Sequence, residues 1–316
     1  IMFAYLGCVS VVAMLAGLLA AHGCFVPGAA APLILNLVLI GGAALGAVAA
    51  RGATDPGAAQ RIAALCLAAG VAVAGVAQVA FLVRQVRRSG VRLAIGLPRL
   101  TARTRALAWR ILPATAGAAI YQANQFVDTI FATSLAQGSL TRFRLAERLA
   151  QLPLGVIAIA LGTAILPAIA RHVHTGDEAG AHRLQADGIA LACLLTLPAA
   201  AALAICAHPF VVALFVGGRF SAVDGAAMAA IIIALSGALP AYALVKVLQP
   251  AFFGRGDTTT PTLVAAGALV ANVALNLAVV PRFGIIGLAA TSVATALLNF
   301  AGLGAILIRR GWLTAG

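Results

Sequence analysis

The sequence predicts an all-α fold, a polytopic bundle of transmembrane helices, on three observations. Of the 316 residues, 63% are hydrophobic and 9% are charged, and the mean hydropathy is +1.06. A water-soluble domain of this composition would expose large apolar patches. Apolar runs near the roughly 20 residues that cross a bilayer core as a helix recur along the whole chain. These runs lack the period-two alternation of membrane strands, which favours helices over a barrel.

Hydropathy divides the chain into about nine spans in two groups. Three spans fall within residues 1–84, interpreted as part of an N-terminal lobe, and six within residues 107–316, interpreted as a C-terminal lobe. The Arg-rich stretch 85–106 between them is expected to be a cytoplasmic linker that rests on anionic lipid. The predicted spans are 3–21, 30–50, 62–83, 107–134, 142–170, 185–207, 224–252, 261–281 and 285–308.

The arginines between the spans predict the orientation of the chain. One set of alternate loops contains thirteen arginines and the opposite set contains six. Because short cytoplasmic loops are enriched in Arg and Lys, the richer set is expected inside, with residue 1 outside and the C-terminus cytoplasmic. This distribution explains the net charge of +13 without a nucleic-acid partner. The five cysteines lie singly in or beside apolar segments and are interpreted as packing residues.

Ionisable side chains inside spans cost about 3 kcal/mol or more on insertion and therefore mark candidate functional sites. Arg144, Arg148 and Gln151 are spaced four and three residues apart, so they form one stripe along a helix. Two guanidinium groups one turn apart suit a pyrophosphate, because each makes bidentate contacts with phosphate oxygens. Glu147 lies beside this stripe and is included in the predicted substrate site. The alternative is a structural Glu–Arg pair.

Lys246 is the only lysine of the chain and lies in the middle of a predicted span. A cation at that depth requires an anionic partner. We predict that Lys246 contacts a carboxylate or a phosphate of the substrate. The alternative is an ion pair with Asp128 or Glu147 inside the bundle.

A second candidate site is predicted to bind a monovalent cation. Asp128 belongs to a segment, 121–132, that is too polar to face lipid. Asn272 and Asn276 are four residues apart in one predicted span, and Ser292 follows in the next. Because oxygen ligands and one carboxylate suit a small dehydrated cation, these four residues are expected to take Na⁺ or H⁺ as a coupling ion. Ordinary hydrogen bonding between helices is the alternative, and no cofactor or other metal is predicted.

Three segments of the chain resemble the MurJ/MviN lipid II flippases. Residues 146–167 contain AERL followed by PLG and LGTAILP, which is close to the characteristic motif of that family. Residues 245–262 read VKVLQPAFFGRGDTTTPT and are similar to a second loop motif, and residues 272–299 follow in the expected order. A looser similarity over residues 3–41 extends the resemblance to nearly the whole chain.

This resemblance implies a two-lobed, MATE-like fold of fourteen spans, of which the chain is expected to lack the first three and the last two. The implied function is to flip lipid II, an undecaprenyl-pyrophosphate-linked disaccharide-pentapeptide, across the bacterial inner membrane for cell-wall synthesis. The implied mechanism is alternating access by a monomer. Arg148 matches the essential cavity arginine of the family. Asp128, Asn272 and Asn276 fall where some members have a sodium site.

The chain departs from the family pattern at Arg142 and Arg144, where aromatic residues are usual, and at Glu147, where Asp is commoner. The alternative function is a cation-coupled drug or polysaccharide-lipid exporter of the same superfamily. An exporter of cationic drugs would need a net acidic cavity, whereas the predicted cavity contains three cations and two carboxylates. No enzyme activity is predicted, because no clustered catalytic set occurs near an interface.

Overall fold

The computed structural model describes residues 3–52, 55–90, 101–218 and 220–313. These residues are almost entirely helical, and their only β pairing is an isolated bridge between Gly217 and Phe220. The prediction of an all-α membrane protein is therefore confirmed. The chain divides into two compact units, Ile1–Arg99 and Leu100–Gly316. The middle of the predicted linker 85–106 lies outside the described residues, since 91–100 are not among them.

The first unit contains three helices, α1 (Phe3–Ala21), α2 (Val26–Ala50) and α3 (Pro56–Arg88). The helices α2 and α3 pack closely because small residues face each other at their contact. A Cβ atom at Gly46 would lie 3.2 Å from the Cα atom of Ala63. Such close backbone approach is how transmembrane helices associate when lipid supplies no hydrophobic driving force.

The second unit is built around α5, which packs against α6, α8 and α9, while α10 packs along α4, α8 and α9. Its core consists largely of fully buried aliphatic residues of α8 and α9, such as Ile231, Ile232 and Val247. The helices of this unit are α4 (Ala102–Thr133), α5 (Ser139–His174), α6 (Glu178–Ile205), α7 (Ala207–Phe215), α8 (Ala222–Ser236), α9 (Leu239–Phe253) and α10 (Thr259–Arg309).

The helix α10 is long enough for two crossings of a bilayer. Its 51 residues would extend about 75 Å at 1.5 Å per residue, whereas a bilayer core is roughly 30 Å thick. The helix breaks at Gly284, where φ is 58° and ψ is −137°. Glycine is required there because other residues are strained at positive φ. This break falls between the predicted spans 261–281 and 285–308.

Several predicted spans were shorter than the helices of the structure, and one helix was missed. The α3 helix begins at Pro56 and ends at Arg88, beyond the predicted 62–83, because the Asp55 side chain caps its start and polar flanks do not end a helix. The short α7 helix was not predicted. Among the described residues, five helical stretches are long and apolar enough to cross a membrane, so the count of nine spans stays a prediction.

The close contact of α5, α6 and α9 at Gly188 provides a test of this packing. A Cβ atom at Gly188 would lie 2.7 Å from Ile165 Cδ1 and 3.1 Å from Val247 Cγ1. We expect Gly188→Leu to lower the free energy of unfolding by about 1–3 kcal/mol, the usual cost of overpacking. The control is Gly267→Leu on α10, where no atom lies within 4 Å of the position of the new Cβ. Equal thermal stability of the two variants in detergent would contradict the packing described.

Candidate functional site

Arg144 of α5 is the centre of a polar network that joins α4 to α5. Its Nη1 atom lies 2.8 Å from Glu147 Oε2, one turn along the same helix. Its Nη2 atom donates to the Gln125 carbonyl oxygen at 3.2 Å and also to the Thr129 hydroxyl. Gln125 Nε2 in turn donates to Glu147 Oε1 at 2.8 Å. Both terminal nitrogens of the Arg144 guanidinium are therefore engaged within the protein.

These contacts favour the alternative interpretation from the sequence, in which Arg144 and Glu147 form an ion pair that stabilises the structure. The two side chains are 35% and 19% exposed, respectively. Gln151 joins the same network weakly, because its Nε2 atom donates to Glu147 Oε1 at 3.4 Å. The positive charge of Arg144 is thus balanced by one carboxylate, and direct contact of either residue with a substrate stays a prediction.

Arg148 stands apart from this network although it is one turn from Arg144. The opposite face of α5 is buried in the core through Phe143, Ala146 and Ala150, which directs the Arg148 stripe away from the core. Arg148 is exposed. Among the described residues, no hydrogen bond or ion pair engages its guanidinium. It is a cation without a counter-ion on a helix face that carries Gln151 as well.

Lys246 of α9 is a second cation without a described partner. Val245 and Val247 on either side of it are buried, while Lys246 itself is exposed. The predicted alternative, an ion pair with Asp128 or Glu147, is not present among the described contacts. Tyr242, one turn earlier and also exposed, lies close enough to those two carboxylates to interact with them electrostatically. The exposed stripe of α9 therefore lies on the side of this unit that carries the polar residues of α4.

The predicted cation site is a connected polar cluster between α4 and both halves of α10. Asp128 is 6% exposed, and Asn272 and Asn276 are fully buried. Asn276 Nδ2 lies 3.4 Å from Asp128 Oδ1 and 2.8 Å from Asn272 Oδ1. The Thr291 hydroxyl donates to Asn276 Oδ1. The structure thus brings three of the four predicted residues together.

Ser292, the fourth predicted residue, is buried, but no described hydrogen bond joins its side chain to this cluster. Its hydroxyl donates to the Leu288 carbonyl oxygen at 3.0 Å. Thr291 donates to the same carbonyl oxygen at 2.8 Å and also reaches Asn276. Thr291 is therefore the hydroxyl that joins the cluster, one residue before the one predicted.

The chemistry of this cluster fits a bound cation or proton. Asp128 forms no ion pair among the described residues, and the hydrogen bond that Asn276 donates to it is long, at 3.4 Å. A buried carboxylate without compensation is costly, so it favours the uptake of positive charge. Asn272 Nδ2 is buried and makes no described hydrogen bond.

Two network residues, Gln125 and Thr129, were not predicted as site residues. Both belong to the polar segment 121–132, and they are four residues apart, so they share one face of α4. Sequence alone could not show that this face meets Arg144, because α4 and α5 are neighbours only through tertiary packing. Polar residues with helical spacing in a predicted span were the available signal.

Comparison with known proteins gave consistent results. The family model described as lipid II flippase MurJ matches residues 1–315. A protein of Rhizobium meliloti named probable lipid II flippase MurJ is 36% identical over 311 residues. That alignment covers 98% of this chain and 57% of the relative. The chain therefore spans a little over half the length of the curated relatives it matches.

Two solved structures share the fold of this chain. A lipid II flippase MurJ in an inward closed conformation superposes with a TM-score of 0.76 at 17% identity, covering 97% of this chain and 61% of that one. A MATE transporter of Vibrio cholerae superposes with a TM-score of 0.65 at 12% identity, covering 98% of this chain and 69% of that one. At these identities the structural likeness shows the fold alone.

The different environments of Arg144 and Arg148 predict different effects of their removal. Arg144→Ala leaves the half-buried Glu147 carboxylate without its counter-ion, and we expect unfolding to become easier by about 2 kcal/mol. Arg148→Ala removes no described contact and should change stability by less than about 0.5 kcal/mol. Unfolding of the detergent-solubilised protein would measure both. Replacing Glu147 by Gln should restore part of the loss in the Arg144 variant, and similar losses for the two arginine variants would contradict the assignment.

Proposed function

This chain belongs to the lipid II flippase MurJ family, and on that premise we propose that the protein flips a lipid-linked peptidoglycan precursor. The substrate would be lipid II, carried on undecaprenyl pyrophosphate from the cytoplasmic to the periplasmic leaflet. The protein would act as a transporter, without enzyme activity, in the bacterial inner membrane and as a monomer. Its orientation would place the C-terminal end of this chain in the cytoplasm, in accord with the loop arginines.

The observation that carries this proposal is the unpaired charge of Arg148. The neighbouring Arg144 is neutralised by Glu147 at 2.8 Å, whereas Arg148 has no described counter-ion. A guanidinium exposed inside a membrane protein needs an anion, and its planar fork matches phosphate oxygens. A pyrophosphate supplies several such oxygens. Arg148 is therefore the proposed contact of the substrate pyrophosphate.

Lys246 and Gln151 complete the proposed substrate surface. Lys246 is a flexible point charge that suits a second phosphate or a peptide carboxylate. Gln151 lies one turn from Arg148 on the exposed stripe of α5 and offers an amide for hydrogen bonds. Tyr242, one turn from Lys246, is 39% exposed. Together these side chains present positive charge flanked by neutral polar groups, as an amphiphilic anion requires.

The alternative, an exporter of cationic drugs in the same superfamily, fits this surface less well. Such a substrate would need an exposed carboxylate. Of the two acidic residues concerned, Asp128 is buried and Glu147 is paired with Arg144. The exposed charges of the site, Arg148 and Lys246, are both positive. The structural likeness to a MATE transporter reflects shared fold and does not favour shared substrate.

We propose in addition that the cluster of Asp128, Asn272, Asn276 and Ser292 takes a coupling Na⁺ or H⁺, with Thr291 as a further oxygen ligand. Asp128 would supply the negative charge, and the amides of α10 would supply neutral oxygens. Because the cluster joins α4 to both halves of α10, binding of a cation would favour one arrangement of these helices over another. A cation could in this way be linked to the transport cycle.

A growth assay tests the proposed substrate contact. The full-length gene product that contains this chain would be expressed in bacteria depleted of their own lipid II flippase. We expect the unaltered protein to sustain growth and Arg148→Ala to fail at equal membrane abundance, because losing one charge-assisted phosphate contact weakens binding about 30-fold. Arg148→Lys should restore growth in part, since the charge remains.

Two further variants make this assay decisive. Arg282→Ala removes an exposed arginine near the break in α10 that no described hydrogen bond or ion pair engages, and should grow like the unaltered protein. Asp128→Asn keeps the side-chain shape but removes the charge, and should abolish growth if the cluster binds a coupling ion. Full growth with Arg148→Ala would refute the proposed contact, and full growth with Asp128→Asn would refute the proposed ion site.

A further inference from the structure

The two ends of α10 come together and form a groove outside the site described above. The groove encloses about 460 Å³. One wall comes from the start of α10 and the other from its last turns. Its lining consists of apolar side chains along its length and a hydroxyl and two guanidinium groups at one end, and the lining residues are Thr260, Leu263, Val264, Ile306, Arg309 and Arg310.

Arg310 is held in place at the polar end of this groove. Its Nη2 atom donates to the Thr260 hydroxyl at 3.0 Å, and its Nη1 atom pairs with the Asp257 carboxylate. Its guanidinium also lies 4.8 Å from the ring centre of Trp312. Burial raises the pKa of Asp257, but hydrogen bonds from Thr260 and Arg310 outweigh this effect and lower the pKa to about 2. The Asp257–Arg310 pair is thus charged and electrically balanced.

Arg309 supplies positive charge that no described acidic side chain balances. It is exposed, and among the described residues no acidic side chain pairs with it. The remaining arginine of this end, Arg255, pairs with Glu178, and its guanidinium lies 4.7 Å from the ring centre of Trp312. The groove therefore opens beside one unpaired guanidinium, a second one fixed in place, and a hydroxyl.

The apolar part of the groove leads away from these groups along the helix. Leu263 is 65% exposed, and Val264 and Ile306 are half-buried. Trp312, at the same end of α10, is a residue type that is enriched where protein crosses the level of lipid headgroups. A ligand that fills the groove must therefore combine an anionic oxygen-rich group with an alkyl chain.

We propose that this groove binds one anionic phospholipid as a resident ligand, separate from any transported substrate. The phosphate contacts Arg309 and the free edge of Arg310, and the first part of an acyl chain lies between Leu263, Val264 and Ile306. The bound lipid fastens the two ends of α10 to each other at the membrane surface. The leaflet concerned is rich in anionic lipid if this end is cytoplasmic, as the loop arginines predict.

Titration of the purified full-length protein with lipid, followed by native mass spectrometry, tests this proposal. The probes are phosphatidylglycerol, zwitterionic phosphatidylcholine and inorganic phosphate. Of the three probes, we expect only phosphatidylglycerol to bind tightly. Arg309→Glu should weaken this binding at least about tenfold, because reversing the charge of the side chain replaces attraction to the phosphate by repulsion. The matched control is Arg282→Glu, at an exposed arginine on the same helix that does not line this groove, which should leave binding unchanged.

Other outcomes would overturn the proposal or one of its parts. If Arg282→Glu weakened phosphatidylglycerol binding equally, the binding would depend on general surface charge and not on this groove. If inorganic phosphate bound equally well, the acyl chain would have no role. Leu263→Ser keeps both arginines and should still weaken phosphatidylglycerol severalfold; unchanged binding there would also exclude the chain contact. Arg148→Ala should not alter binding, so this result is independent of the growth assay.

Discussion

The ion pair between Arg144 and Glu147 determines which charges of this membrane protein remain available. A charge within a bundle must be compensated, and Glu147 compensates Arg144 at 2.8 Å. Gln125 and Thr129 of α4 bind the remaining guanidinium and carboxylate atoms. With that pair satisfied internally, the next cation along α5, Arg148, has no counter-ion among the described residues. The anionic specificity proposed for the site follows from this difference between two arginines one turn apart.

The helix α4 connects the two polar clusters of the second unit. Gln125 and Thr129 lie on a face that meets α5, while Asp128 lies on an adjacent face that meets α10. A change at Asp128, by uptake of a proton or a cation, therefore acts on the same helix that positions Arg144. The proposed ion site and the Arg144 network beside the proposed substrate contact thus share α4, and this is a physical basis for linked binding.

Sequence predicted the fold class well and the site partly. Hydropathy alone revealed the helices, since lipid demands long apolar helical runs, and it located the break near Gly284. Residue types and spacing predicted Asp128, Asn272 and Asn276 as one site, and Arg144 and Arg148 as one cationic stripe. They could not show that Arg144 is paired while Arg148 is free, nor that Thr291 rather than Ser292 reaches Asn276. Those distinctions depend on the rotation of each helix about its axis, which only packing between helices fixes.

The most direct test of the central claim is the binding of purified protein to undecaprenyl pyrophosphate compared with uncharged undecaprenol. If the unpaired Arg148 selects the anion, the unaltered protein should prefer the pyrophosphate by about 30-fold or more, from roughly 2 kcal/mol of charge-assisted contact. Arg148→Gln should remove most of that preference without changing affinity for the alcohol. If the Arg148→Gln variant kept the preference for the pyrophosphate, the account would be contradicted, and a residue other than Arg148 would make the anion contact.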